Sequence, residues 1–168
     1  MSEPPRPKPQ FRLREIAGDD LAGIAELFAA AAIDGGGVGW SATAIGRSLD
    51  AGGRGAVAIS GEERMLGAIV LVAAGDDFDV GNIAVPQDVR RAGVGRALIA
   101  WAAETARSAG RERIVLEVAA DNAPAQTLYE RQGFRQIGLR KGYYVRDGRR
   151  VDARVLALST GGSVRSFE

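Results

Sequence analysis

The sequence has no cysteine and no histidine among its 168 residues, and only 6% of it is aromatic. Without cysteine the chain has no disulfide, no thiolate nucleophile and no cysteine-ligated zinc. Without histidine it has neither a Ser-His-Asp triad nor a histidine metal site. Proton transfer near neutral pH must therefore use a carboxylate, a tyrosine, a lysine or water, and we expect no metal.

Long hydrophobic runs and a strong net charge are also missing. The apolar stretches fall short of the roughly 20 residues that span a bilayer. The first ten residues are polar and rich in proline, unlike a secretory signal. The chain carries 22 Lys or Arg against 21 Asp or Glu, a net charge of +1, which predicts no affinity for nucleic acid. We therefore expect a cytoplasmic protein that binds neither nucleic acid nor a membrane.

The length suits a single domain with a full core. The prolines clustered in residues 1–10 predict a flexible arm. Residues 11–158 hold the periodic hydrophobic segments and predict the folded domain, and residues 159–168 predict a flexible tail. The folded segment contains a glycine-rich loop at residues 34–39, which we expect to be mobile.

Hydrophobic periodicity within the folded segment predicts the element order β-α-α-β-β-β-α-β-α-β-β, an α/β fold. Ser41 is suited to cap the second helix. The last two strands are predicted at residues 134–139 and 151–158. The segment KGYYVRDGRR connects them, and its Asp147-Gly148 pair is a turn signal.

A strand-to-helix turn in the middle of the chain has the features of an anion site. The apolar run at residues 83–85 stops at Pro86, and Gly93 and Gly95 then open a helix. The free N–H groups of a helix start attract anions, and glycine lets a phosphate approach the backbone. Leu98 stands where a Rossmann fingerprint needs glycine, and no P-loop tripeptide occurs. Ordinary turn chemistry is the alternative interpretation. Three arginines flank the glycines: Arg90, Arg91 and Arg96.

Glu117 is an unexpected residue in the apolar strand Ile114-Val115-Leu116-Glu117-Val118. A strand that follows a crossover helix should be buried on both faces, where a carboxylate is costly unless it is paired or functional. Such a carboxylate is suited to act as a general base. The alternative is that Glu117 lies at the strand end and pairs with an arginine.

Asn122 and Tyr129 lie about two turns apart in the next predicted helix, near one face of it. Asn122 is a natural N-cap. A tyrosine hydroxyl beside a sulfur can donate a proton to a thiolate leaving group. The alternative is an ordinary core tyrosine.

Two motifs in this order resemble the signatures of the GNAT acetyltransferases. They are the turn Arg90-x-x-Gly93-x-Gly95 and the segment Asn-x-x-Ala-x-x-Leu-Tyr-x-x-x-Gly-Phe at residues 122–134. Finer features resemble the ribosomal-protein-alanine N-acetyltransferases (RimI-like), and the resemblance covers roughly residues 11–158. These features are Trp40-Ser41, Asn82-Ile83-Ala84-Val85, Leu116-Glu117-Val118, Lys141-Gly142-Tyr143-Tyr144, Asp147-Gly148 and Asp152-Ala153.

The resemblance implies the GNAT fold, a mixed and mostly antiparallel central sheet with helices on both faces. It implies acetyl-CoA as the co-substrate. Glu117 would accept a proton from the acceptor ammonium, through water, and Tyr129 would protonate the departing thiolate. Asn122 would bond the pantetheine region, and the main chain of Ile83, Ala84 and Val85 would hold the pantetheine arm. The residues that would wrap the pyrophosphate are Arg90, Arg91, Ala92, Gly93, Val94, Gly95 and Arg96.

The implied activity is transfer of acetyl by direct attack to the α-amino group of a protein N-terminus, of the ribosomal-protein-alanine type, with a ribosomal protein as the implied partner. Two alternatives stay open: a GNAT enzyme for a small-molecule amine or a lysine side chain, and a non-catalytic acyl-CoA-binding module. A monomer and a homodimer are equally compatible with the sequence. The basic segment 135–154 suggests an acidic partner, a contact with the 3′-phosphate of CoA, or a solvated hairpin.

Overall fold

The computed structural model of this protein describes residues 8–33 and 38–161. The glycine-rich loop falls largely outside these residues, as do most of the predicted arm 1–10 and of the predicted tail 159–168. Within the part of the chain that the model describes, no helix is long and apolar enough to cross a membrane.

Seven strands and four helices follow each other in the predicted order. Short 3₁₀ turns at Gly18–Asp20 and Gln87–Val89 precede the first and third helices. The strands are β1 Phe11–Glu15, β2 Arg54–Ser60, β3 Met65–Ala74, β4 Asp77–Ala84, β5 Arg113–Ala119, β6 Arg135–Arg146 and β7 Arg149–Ser159. The helices are α1 Leu21–Ile33, α2 Ala42–Asp50, α3 Val94–Ser108 and α4 Ala123–Arg131.

All seven strands form one sheet, in the order β1-β2-β3-β4-β5-β7-β6. Only the pairing of β4 with β5 is parallel, and the other strand pairs are antiparallel. A parallel pair needs a crossover between its strands, and here α3 supplies it. The prediction of a mixed, mostly antiparallel sheet is confirmed.

The two faces of the sheet are covered by different helices, because side chains alternate along each strand. In β3, Ile69 and Leu71 pack into the cluster that contains α3. Ala68 and Val70 pack into a second cluster with Ile24 of α1 and residues of α2. A continuous apolar run in a central strand thus fills both layers, as expected for a strand covered on both faces.

Side-chain caps fix two helix starts that matter for the site. The Ser41 hydroxyl accepts a hydrogen bond from the backbone N–H of Ala44, 3.1 Å away, at the start of α2. The Asn122 side chain accepts one from the N–H of Ala125, at 3.2 Å, at the start of α4. Both predicted caps are confirmed, and each satisfies a backbone donor that the helix leaves free.

The C-terminal hairpin departs from the prediction. The segment predicted as a connection is mostly strand, because β6 continues to Arg146 and leaves only Asp147-Gly148 as the turn. The pairing with β7 shifts between Arg140 and Tyr144, where Gly142 adopts a φ of +60°. This irregularity lets one long strand contain a glycine and still stay paired.

The end of the folded part lies beyond the predicted boundary. Ser159 is still in β7. Thr160 is buried, and its hydroxyl bonds the carbonyl oxygens of Arg111 and Glu112. These two residues therefore belong to the folded domain rather than to the predicted tail.

Candidate functional site

The parallel strands β4 and β5 separate after a short paired segment. Their pairing joins Asp77–Asp79 to Arg113–Val115, and an ion pair of 2.7 Å between Arg113 Nη2 and Asp77 Oδ2 closes that end. Further along, a cleft with a volume of about 90 Å³ opens between the two strands. The main chain of β4 is thus available to a ligand on its β5 side, since its ladder with β3 uses the other side.

A β-bulge at Gly81 shapes the β4 wall of this cleft. Leu71 pairs with Val80 and Val70 with Asn82, so Gly81 is the extra residue of β4. A Cβ atom at Gly81 would lie 2.6 Å from Cη2 of Trp40. Only glycine lets the indole ring approach the strand this closely, so Trp40 and the bulge are matched to each other.

Four of the predicted site residues line the same cleft: Ile83, Glu117, Asn122 and Tyr129. They come from three elements. Ile83 lies on β4, Glu117 on β5, and Asn122 and Tyr129 lie at the start and near the end of α4. The fold therefore brings a carboxylate, an amide and a phenol together with Ile83, which lies 46 residues before the phenol in the sequence.

Glu117 is half-buried rather than buried on both sides. Ile114, Leu116 and Val118 of β5 face the core, while Val115 and Glu117 face the opposite side of the sheet, which α1 and α2 do not cover at this strand. The expectation that both faces of β5 are buried is wrong, because these helices pack over β2 and β3. The Glu117 carboxylate forms an ion pair with Arg140, with Oε1 and Nε 3.1 Å apart. Glu117 thus combines both interpretations: it pairs with an arginine and it lines the cleft.

A second carboxylate, that of Asp79 on β4, lies close enough to Glu117 for their charges to interact. Burial raises the pKa of the Asp79 carboxyl, and the charges of Asp77 and Glu117 raise it further, while Arg140 lowers it. The carboxylates of Glu117 and Asp79 thus place negative charge beside the cleft, and Arg140 offsets part of it.

Tyr129 is buried in the wall of the cleft, and its ring lies 5.7 Å from that of Phe134. Burial raises the pKa of its phenol to about 12, and Tyr144 contributes to the rise. The hydroxyl therefore stays protonated throughout the neutral range and is available as a hydrogen-bond donor. Tyr129 is thus at once a core residue and a cleft residue.

The β6 side of the cleft holds two residues that were not among the predicted site residues, Tyr144 and Arg146. Burial raises the pKa of Tyr144, as does the charge of Glu117. Arg146 Nη1 lies 2.7 Å from Asp121 Oδ1 and so joins β6 to the start of α4. In the sequence, Tyr144 was named only within the segment Lys141-Gly142-Tyr143-Tyr144 that resembles the family.

Asn82 is a further residue that sequence reasoning named only as part of a motif. It is a buried polar residue of β4 that lines the cleft, and its Nδ2 donates a hydrogen bond to the carbonyl of Val38. This bond ties the chain before α2 to the bulged strand, next to the contact between Trp40 and Gly81.

The predicted pyrophosphate turn lies at the end of β4, outside the cleft lining. Arg91 has a φ of +63° and Gly93 a φ of +89°, so the chain reverses twice before α3 begins at Val94. Gly95 is close-packed, because a Cβ there would lie 3.3 Å from Leu128. Gly93 has open space around it, and only its φ requires glycine.

The remaining predicted residues divide between exposed and structural positions. Ala84 and Val94 are buried in the core, and Val85 and Ala92 are half-buried against it. The three arginines Arg90, Arg91 and Arg96 are exposed. None of them takes part in an ion pair with a carboxylate among residues 8–33 and 38–161. Three cations without a carboxylate partner, beside the first N–H groups of a fifteen-residue helix, suit a diphosphate.

Sequence and structure comparisons agree with this geometry. The model of the "Acetyltransferase (GNAT) family" matches residues 18–134. The [ribosomal protein bS18]-alanine N-acetyltransferase of Escherichia coli (strain K12) is 40% identical over 83 residues, which are 49% of this chain and 56% of that protein. The chain thus matches little more than half the length of this relative.

Among solved structures, that of the ribosomal-protein-S18-alanine N-acetyltransferase from Escherichia coli superimposes with a TM-score of 0.79 at 25% identity, over 95% of this chain and 99% of that one. A GNAT phosphinothricin acetyltransferase from Sinorhizobium meliloti, in complex with AcCoA, gives 0.78 at 18% identity, over 89% and 88%. The predicted fold is confirmed. The chain belongs to the acetyltransferase (GNAT) family.

Proposed function

We propose that this protein transfers the acetyl group of acetyl-CoA to the α-amino group of a protein N-terminus by direct attack, without an acyl-enzyme. The observation that carries the proposal is the meeting of Glu117 and Tyr129 in one cleft, where β4 and β5 separate. The similarity to the bS18-alanine N-acetyltransferase of Escherichia coli supports an N-terminal acceptor. A ribosomal protein is the first acceptor to test. The cytoplasmic location stays a prediction.

The proton acceptor lies on one side of the cleft and the proton donor on the other. Glu117, held by Arg140, accepts the proton that the acceptor ammonium loses, through a water molecule. An α-amino group has a pKa near 8, so this step needs only modest help at neutral pH. The amine nitrogen then bonds to the thioester carbonyl carbon, whose oxygen the free N–H groups of β4 polarise.

On the other side of the cleft, the Tyr129 hydroxyl donates its proton toward the sulfur as the carbon–sulfur bond breaks. The second proton, which the attacking nitrogen loses as the amide forms, returns to the phenolate through water. The high pKa of this phenol keeps its proton available at every pH at which the enzyme works. Asn122, which also caps α4, lies beside the same cleft and would bond the pantetheine amides. The arginines Arg90, Arg91 and Arg96 would hold the diphosphate at the start of α3.

The decisive experiment is detection of acetyl transfer by intact mass on a small panel of acceptors. The panel holds three kinds of acceptor. The first is a peptide with a free N-terminal alanine, the second is a version of this peptide that contains an internal lysine and has its N-terminal amine blocked, and the third is a set of small amines. We expect a gain of one acetyl group only on the free-amine peptide. Transfer to the small amines or to the internal lysine alone would replace the N-terminal acceptor with the first alternative.

The binding-module alternative makes a different prediction. It requires that acetyl-CoA binds but that no acceptor is modified. It also requires that Glu117→Gln and Tyr129→Phe change nothing measurable. For an enzyme we expect both variants to bind acetyl-CoA and to lose transfer, because each removes a proton-transferring group without removing volume.

A further inference from the structure

The hairpin of β6 and β7 carries exposed positive charge beyond the cleft. Residues 140–152 contain five Lys or Arg and two Asp. Arg140 and Arg146 pair with Glu117 and Asp121, inside or beside the cleft. The other three cations are exposed, and we call them the basic rim: Lys141, Arg149 and Arg150.

The strand register places Arg149 on the same face of the sheet as the cleft. Glu117 is opposite Val155, and Val155, Val151 and Arg149 alternate along β7, so they share its face. Tyr144, in the cleft wall, is opposite Val151, and Arg146 is opposite Arg149. At about 3.3 Å per residue, Arg149 thus lies roughly 7 Å further along the sheet than Tyr144 and roughly 20 Å from Glu117. Arg150, opposite Val145, points to the other face of the sheet.

The rim has few internal counter-charges. Among the described residues, no carboxylate forms an ion pair with Lys141, Arg149 or Arg150. Arg150 donates a hydrogen bond of 3.1 Å to the carbonyl of Gly142, which leaves its charge uncompensated. The carboxylate of Asp152 already accepts from the N–H of Gly142, at 2.8 Å. The rim is therefore free to meet negative charge from outside.

The charges change sign along the path that an acceptor would follow. The cleft holds the carboxylate of Glu117, with that of Asp79 near it on β4, and these carboxylates suit the ammonium of an N-terminus. An extended peptide advances about 3.3–3.6 Å per residue, so a chain whose amine reaches Glu117 brings about its sixth residue to Arg149.

We propose that the basic rim selects acceptor N-termini that carry acidic side chains about five to seven residues after the terminal amine. This inference rests on the proposed N-terminal acetyltransferase activity and specifies its substrate class. Opposite charges at a rim raise the rate of association and disfavour acceptors of the wrong sign more than they add affinity. The partner is thus a protein whose mature N-terminus is acidic.

The test uses the full chain and three peptides that begin with the same alanine. The peptides differ only in residues five to seven, which are all glutamate, all glutamine or all lysine. We expect kcat/KM to be roughly tenfold higher for the glutamate peptide than for the lysine peptide at low salt. The preference should shrink as ionic strength rises, because exposed charges are screened.

A pair of variants separates the rim from general effects of charge. Arg149→Glu should abolish or invert the peptide preference and leave the KM for acetyl-CoA unchanged. The control, Arg12→Glu, makes the same charge change on β1, at the opposite edge of the sheet. It should keep the preference of the parent.

The outcomes keep the two proposals apart. Equal acetylation of all three peptides, or a preference for lysine, overturns the acidic acceptor and leaves the N-terminal activity standing. A rise in the KM for acetyl-CoA in Arg149→Glu, with the peptide preference intact, assigns the rim to the nucleotide instead and also overturns the inference. Failure of the protein to acetylate any peptide, with small amines modified, overturns the proposed function itself.

Discussion

Oε1 of Glu117 and Nε of Arg140 lie 3.1 Å apart, beside the cleft. The ion pair joins β5 to the end strand β6, although β7 lies between these strands in the sheet. Arg140 also stacks on the exposed ring of Tyr143, at 5.1 Å from its centroid. Arg140 thus keeps its contact with the Tyr143 ring if an acceptor ammonium displaces it from Glu117.

Replacement of Glu117 by glutamine should lower kcat/KM by about 10²–10⁴-fold at neutral pH, since the amide cannot accept the proton. The loss should shrink as pH rises past about 8, where the α-amino group of the acceptor is already neutral. Steady-state rates on the free-alanine peptide across this range test the prediction. The matched control is Glu63→Gln, which removes an exposed carboxylate that is also paired with an arginine, Arg12. A loss that is the same at every pH would contradict the role as base.

Tyr129→Phe should lower kcat while preserving the packing against Phe134. The variant should also respond differently to alkali. The phenol has a pKa of about 12 in the folded protein and about 10 in the unfolded chain. Its contribution to stability is complete below pH 10 and is lost as pH rises to 12, a decrease of about 3 kcal/mol.

The free energy of unfolding, measured by urea titration at pH 9 and at pH 11.5, tests this directly. The parent should lose more stability over this interval than Tyr129→Phe does, because the variant has no phenol to ionise at that site. The half-buried Tyr144 gives a control, and Tyr144→Phe should reduce the loss by less. If the parent and Tyr129→Phe lost the same free energy of unfolding over this interval, the Tyr129 phenol would be exposed to water rather than buried in the wall of the cleft.

Local sequence signals were sufficient for the elements and for part of the site. The caps Ser41 and Asn122 act on backbone groups within three residues of themselves, so their positions are readable from the chain. Glu117 and Tyr129 meet because β5 leads directly into α4, and this short connection leaves little freedom.

The rest of the site depends on pairing that no local signal specifies. Arg146 reaches the cleft beyond the point where the β6–β7 register shifts, between Arg140 and Tyr144. The shift is two residues, so each following side chain keeps its face but lies about 7 Å from where regular pairing would place it along β7. The bulge at Gly81 likewise depends on Trp40, a residue about forty positions earlier, which the sequence could not place.

Gly81→Ala should destabilise the protein and disturb the cleft together. The added Cβ would lie 2.6 Å from Cη2 of Trp40 and 2.9 Å from Cγ2 of Val72. The indole is rigid, so the strand or the ring must move, at a cost of about 1–3 kcal/mol. Thermal unfolding measures the loss, and Gly61→Ala, with open space around its Cβ, should lose much less. An unchanged melting temperature in Gly81→Ala would show that Trp40 does not pack against this strand.

Comparison of Gly93→Ala with Gly110→Ala separates an effect on binding at the turn before α3 from an effect on the stability of the fold. Gly93 and Gly110 lie just outside the two ends of α3, with φ of +89° and +68° and open space around each. Alanine at either position must therefore adopt a left-handed backbone conformation. This costs about 1–2 kcal/mol of stability, and the added Cβ clashes with no neighbour. Both variants should melt lower by similar amounts. Only Gly93→Ala should raise the KM for acetyl-CoA, by several-fold or more, because a Cβ there obstructs the approach of a diphosphate to the first N–H groups of the helix. If the two variants raised this KM equally, the diphosphate would have to bind elsewhere than at the start of α3.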